Sequence, residues 1–262
     1  MSSFNTELYP EATSRHSINS LEYRKAKKML RNEWISGLSG VFLALFICGH
    51  LVLESSILFG KDFYQKTADL LEVTIPVAKP ILAIVTIIFF IHFVWASRKI
   101  PAKLSERKRM MELGKRLKSS RNRWQQDKKS ETKLRNHFET SLWLWQVRTG
   151  MIVLATGAFH LFLIAWNLFT NMGVAGQKHG ITAELATARV ESGLWVLYSI
   201  LMVAVVAHMA IGVYRLIVKW FADTWFGRKY AQIIFYFLLW FYLVLGVAAI
   251  LGLAGPWEGV LT

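Results

Sequence analysis

Cysteine is nearly absent. Cys48 stands alone, so no disulfide framework can form, and no CxxCH pair exists to attach a haem covalently. No internal repeat and no Gly/Ser-rich linker is visible, which leaves one domain. The first 33 residues hold no apolar stretch of signal-peptide type, so a cleaved leader is not expected, and the first apolar run should act as its own insertion signal. Acidic residues are few, 17 against 31 Lys and Arg in 262 residues, for a formal charge of +14. A basic soluble nucleic-acid binder would spread such charge over a folded surface, whereas here long uncharged runs alternate with short basic segments. With 54% apolar residues, that alternation defines a polytopic membrane protein and gives the charge no nucleic-acid meaning.

The apolar runs are continuous rather than alternating, so they are helices: only helices or closed barrels satisfy the backbone in hydrocarbon, and crossing about 30 Å takes roughly 20 helical residues. Five spans are expected, at 34–56, 77–97, 142–169, 193–220 and 230–253. Pro76 and Pro80 fall at the start of the second, where a missing N–H costs least. Residues 98–140 carry too much charge to enter the bilayer and lack Gly/Pro clusters, which predicts an interfacial helix.

Orientation follows from Lys and Arg. The first 33 residues hold six, Arg15, Arg24, Lys25, Lys27, Lys28 and Arg31, and residues 98–140 hold fifteen. The intervening loops have only Lys61, Lys66 and Lys79, then Lys178 and Arg189, and the tail GPWEGVLT has none. The positive-inside rule therefore places the N-terminus in the cytoplasm and the C-terminus outside. The expected organisation is a cytoplasmic arm at 1–33, a five-helix all-α domain at 34–254 and an outer tail at 255–262.

Of seven histidines, His16, His137 and His179 lie outside the spans, and His50, His92, His160 and His208 fall one in each of the first four. One intramembrane histidine is readily explained as a hydrogen bond between helices; four in successive helices point to function, because ionisable groups are costly there. Depth sorts them. His50 and His160 each lie roughly 24–25 Å along helices that start inside, near the outer face. His92 and His208 come late on helices that start outside, near the cytoplasmic face. Two imidazoles facing each other across a helical bundle are the axial ligands of a b-type haem, so two pairs at two levels predict two haems held non-covalently. Zinc suits the pattern less, since it takes four ligands at one place and neither pair has a Cys or carboxylate with it. Gly49, Gly157 and Gly212, close to ligand positions, suit either haem packing or close helix packing.

The segments WISGLSGVFLALFICGHLVLESSILFG, FFIHFVWASRKIP, HFETSLWLWQVRTGMIVLATGAFHLF and AHMAIGVYRLIVKW resemble the dihaem cytochrome b membrane-anchor subunit of bacterial fumarate reductases and succinate:quinone oxidoreductases. The resemblance spans the first four helices and implies an inner haem on His92 and His208 and an outer haem on His50 and His160, the pairing that depth also yields. It further implies a multi-pass protein of the bacterial inner membrane that exchanges electrons with menaquinone. Its partners would be an iron–sulfur subunit and a flavoprotein subunit on the cytoplasmic face; a dimer of complexes is left open. By the same resemblance Lys219, Trp143, Tyr198 and His137 fall near haem propionates, a role that charge also suggests for Lys219. Glu72 matches the carboxylate that accepts a proton from quinol. A transmembrane proton-relay Glu of some members is replaced here by Val206, and residues 98–140 are longer than the resemblance implies.

Two other readings compete. Another dihaem quinone-linked cytochrome, of the nitrate-reductase type, would gather its ligands on two helices rather than four. A transporter with a histidine relay would be expected to break its helices or carry carboxylates near the midplane, and the spans here show neither. No flavin or dicarboxylate motif is present, so fumarate chemistry itself is not expected on this chain.

Overall fold

The computed structural model describes residues 11–74, 78–124, 138–170, 183–221 and 227–255. Among them all regular structure is helical. Helix α1 is Glu11–Glu54, followed by a 3₁₀ turn Ser55–Phe59 and α2, Lys61–Thr74. Then come α3 (Ala78–Ser97), α4 (Ile100–Trp124), α5 (Phe138–Thr170), α6 (Ala183–Arg189), α7 (Trp195–Phe221) and α8 (Arg228–Leu253).

Among the described residues, five segments are long and apolar enough to cross a membrane: Glu22–Phe59, Pro80–Ser97, Ser141–Asn167, Leu185–Phe221 and Lys229–Leu253. They coincide with the five expected spans. Their outward faces carry large apolar side chains such as Leu45, Phe237, Trp240 and Val244, each more than half exposed. In water such a surface would be costly; against lipid tails it is matched.

The elements differ from the sequence reading at three places. Residues of the basic arm from Glu11 onward are helical and run into the first membrane helix without a break, giving α1 its 44 residues. The loop after the first span holds α2, which packs on the 3₁₀ turn through buried Tyr64 and Ile57. The fourth span starts as α6 and is bent by a π turn, Val190–Leu194, in which Gly193 takes φ +93°. An L side chain there would meet no neighbour, so the glycine answers a backbone need alone. Residues 98–140, expected to hold a helix, contain α4, a 25-residue helix two residues beyond α3.

Helix α7 is the centre of the bundle. Val206, Ala210, Tyr214 and Met202 are buried along it, packed between α5 and α8. Gly246 of α8 permits close approach, since a Cβ there would stand 2.6 Å from Met202 Cγ. Helices α1 and α3 pack together on the other side of the bundle. Four helices, α1, α3, α5 and α7, thus surround an interior that their side chains do not fill.

Candidate functional site

That interior is a cavity of about 770 Å³, and His50, His92, His160 and His208 all line it. Glu33, Lys99, Arg215 and Lys219 line its basic end, and Glu54, Tyr64 and Arg189 its other end, which α2 caps. Leu43, Val85, Leu154 and Val205 are among the apolar residues of the wall.

Towards the basic end His92 of α3 faces His208 of α7, with ring centroids 6.3 Å apart and planes at 86°. Two imidazoles on opposite sides of one metal ion, each bonded at about 2 Å, place their centroids about 6 Å apart. Both rings are held at Nδ1. That of His208 lies 3.0 Å from the Gln146 carbonyl and 3.3 Å from Thr149 Oγ1. A carbonyl accepts only, and Thr149 already donates to Trp145 O, so Nδ1 carries the proton and Nε2 has a free lone pair. His92 Nδ1 lies 3.1 Å from Ser39 Oγ, which spends its own hydrogen on Ile35 O, with the same consequence. A metal-binding histidine is usually prepared in this way.

Glycines make room for the two rings. A Cβ at Gly150 would stand 2.9 Å from His208 Cε1, and one at Gly40 3.1 Å from His92 Cε1. Neither glycine was singled out from the sequence, because each acts across a helix pair. Of those that were, Gly49 faces open space, Gly157 meets Phe89 and Leu201 at ordinary contact, and Gly212 lies 3.2 Å from Gln146 Nε2.

At the capped end His160 of α5 packs edge-on against Tyr198, centroids 5.5 Å apart. Its Nδ1 and the Tyr198 hydroxyl are both buried without a hydrogen-bond partner. Buried polar atoms of that kind are rare unless a further group completes them. His50 of α1 stacks on Phe46 and has its Nδ1 3.9 Å from Glu54 Oε1. The prepared rings and glycine clearances around His92 and His208, with the unpartnered polar atoms at the capped end, fit a planar, iron-bearing macrocycle within the cavity.

Three cations at the basic end have partners. Lys219 pairs with Glu33, Lys99 donates to Ser36 Oγ at 2.7 Å, and Arg215 donates to the Gln146 side chain. Lys219 and Trp143 therefore line the basic end, whereas Tyr198 stands at the capped end beside His160. Lys99 and Arg215 were missed in the sequence; Arg215 could have been found two turns beyond His208, on the face that leads to Lys219. Glu72 falls within α2, two turns past Tyr64; its side chain and all of His137 lie outside the described residues.

The fold and the paired imidazoles define a membrane-spanning helical bundle with a histidine-lined interior. Residues 122–248 match the family described as the succinate dehydrogenase/fumarate reductase transmembrane subunit. The fumarate reductase cytochrome b subunit of Wolinella succinogenes is 27% identical over 215 residues, covering 79% of this chain and 72% of that one. Its counterpart from Helicobacter pylori is 28% identical over 223 residues, covering 79% and 76%. The chain is thus similar to cytochrome b membrane-anchor subunits of fumarate reductases, and its several long apolar helices make it a multi-pass membrane protein.

Proposed function

We propose that the chain carries two b haems, one on His92 and His208 and one on His50 and His160, and links menaquinone to soluble partner subunits in a bacterial inner membrane. The observation that carries this reading is one cavity lined by all four histidines, with His92 and His208 at the separation that a shared metal requires. When bound, the haems supply one-electron carriers at two depths of the membrane. This chain's own residues do the rest. Ser39, Gln146 and Thr149 fix the inner imidazoles, and Trp143, Lys99, Arg215 and Lys219 provide the polar, cationic end where propionates belong. His137 is a further propionate partner in this reading, and Tyr198 the partner at the outer level.

The basic end is cytoplasmic by its charge, so the iron–sulfur and flavoprotein subunits of a fumarate reductase or succinate dehydrogenase dock there, with the cytoplasmic part of α1 and part of α4 as the contact surfaces. Residues 34–254 form the dihaem domain between the arm and the tail. Quinol is oxidised at the capped, outer end, where Glu72 accepts a proton. Val206 is fully buried, and its alkyl side chain relays no proton, so protons released outside stay outside. Fumarate reduction by menaquinol then generates a membrane potential, and succinate oxidation by menaquinone consumes one.

A reduced-minus-oxidised optical spectrum of the purified complex tests this reading. Bands of b type that appear on addition of a menaquinol analogue are expected; a featureless spectrum would contradict it.

A further inference from the structure

Among the described residues, two carboxylates line the cavity, one at each end. Glu33, midway along α1, has Lys219 in the last turn of α7 as its partner. Glu54 is placed differently. It ends α1 one turn beyond His50, on the same face of the helix, and its Oε1 lies 3.9 Å from His50 Nδ1, an electrostatic contact rather than a hydrogen bond. Its other oxygen, Oε2, accepts a hydrogen bond of 3.3 Å from the Tyr64 hydroxyl. Tyr64 is itself buried, on α2, so the contact ties the capping helix to the carboxylate. Burial and then the Glu54 charge push the Tyr64 phenol above its ordinary range, which keeps it an O–H donor. Arg189 lines the same end of the cavity from α6, with its Nε–H committed to the Leu185 carbonyl.

Support at the inner level differs. His92 and His208 have neutral partners at Nδ1, a hydroxyl and a carbonyl, whereas His50 has a carboxylate. A carboxylate on the far nitrogen of a metal-bound imidazole makes that imidazole a stronger electron donor and favours the oxidised metal. Resting on the haem assignment above, we propose that Glu54 is a positioning residue for His50: its carboxylate, held by Tyr64, orients the imidazole and lowers the reduction potential of the outer haem relative to one ligated without it. The consequence is a carrier beside the quinol site that is harder to reduce than its own ligands alone would make it, set by a residue one helical turn away.

Redox titration of the purified complex, followed optically, tests this. The outer haem is identified as the component missing in His160→Ala. In Glu54→Gln its potential should rise by about 59 mV, a tenfold change in the one-electron equilibrium, with the inner haem unmoved, and Glu54→Asp should recover part of the difference. Loss of the outer haem in Glu54→Gln with recovery in Glu54→Asp would also support the proposal, because both substitutions keep a polar side chain and only one keeps the charge. Unchanged potentials, a shift of the inner haem alone, or loss of haem in both variants would overturn it. Absence of two haems from the wild-type complex would instead refute the haem assignment, so the two failures are distinguishable.

Discussion

Replacing Gly150 by alanine should loosen one haem while leaving the helix intact. The added Cβ would stand 2.9 Å from His208 Cε1 and 3.3 Å from its Nδ1. Carbon atoms prefer to be about 3.5–4.0 Å apart, so the ring must retreat by roughly 0.6 Å or more. Sites of this kind tolerate about 0.5 Å of misplacement. The retreat also disturbs the 3.0 Å bond from Nδ1 to the Gln146 carbonyl, the contact that fixes the tautomer. Loss of such support typically costs 10–100-fold in metal affinity, about 1.4–2.8 kcal/mol. The control is Gly49→Ala, beside His50, where an added Cβ meets nothing within 4 Å. There the exchange should be neutral or should stabilise the helix by about 0.5–1 kcal/mol. Transfer of haem from each detergent-purified variant to apomyoglobin gives the assay: one of the two haems should leave Gly150→Ala at least tenfold faster than it leaves wild type or Gly49→Ala. Equal rates in all three would refute the steric argument.

Three further outcomes are expected. Glu72→Gln should keep the haem spectrum and lose most quinol turnover, measured as fumarate reduction by a menaquinol analogue; full activity would place the proton acceptor elsewhere. Gly193→Ala forces an L residue to φ +93° and should destabilise the chain by about 1–2 kcal/mol, read as a lower unfolding midpoint in detergent; an unchanged midpoint would show that the π turn relaxes freely. Proteoliposomes holding the whole complex should develop a membrane potential during fumarate reduction by menaquinol, followed with a potential-sensitive dye, and an electroneutral reaction would reveal a proton path that bypasses Val206.

The spans and the histidine levels were legible because each depends on one helix at a time. Hydropathy marks where a helix must lie in lipid, and 1.5 Å per residue converts position into depth. His92 and His208 were paired by that arithmetic alone, and the structure brings their rings within 6.3 Å. What lies between helices was not legible. Gly40 and Gly150 serve a histidine on a neighbouring helix, and nothing local to WISGLSG or VRTGMIV distinguishes them from ordinary packing glycines. Ser39, Gln146 and Thr149 likewise acquire meaning only once α1 meets α3 and α5 meets α7. Helix α2 was missed because a short polar segment between two spans reads as a loop until Tyr64 is buried against the turn before it. Glu54 escaped attention for a different reason: at the very end of an apolar run it looks like a boundary charge, and only the side-chain contacts show that it belongs to the site.

The central claim is that four histidines form two separate ligand pairs, and haem content measured chemically across single substitutions tests it most directly. By pyridine haemochrome, the wild-type chain in its complex should contain two haems. His92→Ala and His208→Ala should each retain the same single haem, and His50→Ala and His160→Ala should each retain the other. One haem or none in the wild type, or a His50→Ala spectrum that matches His92→Ala, would contradict the account.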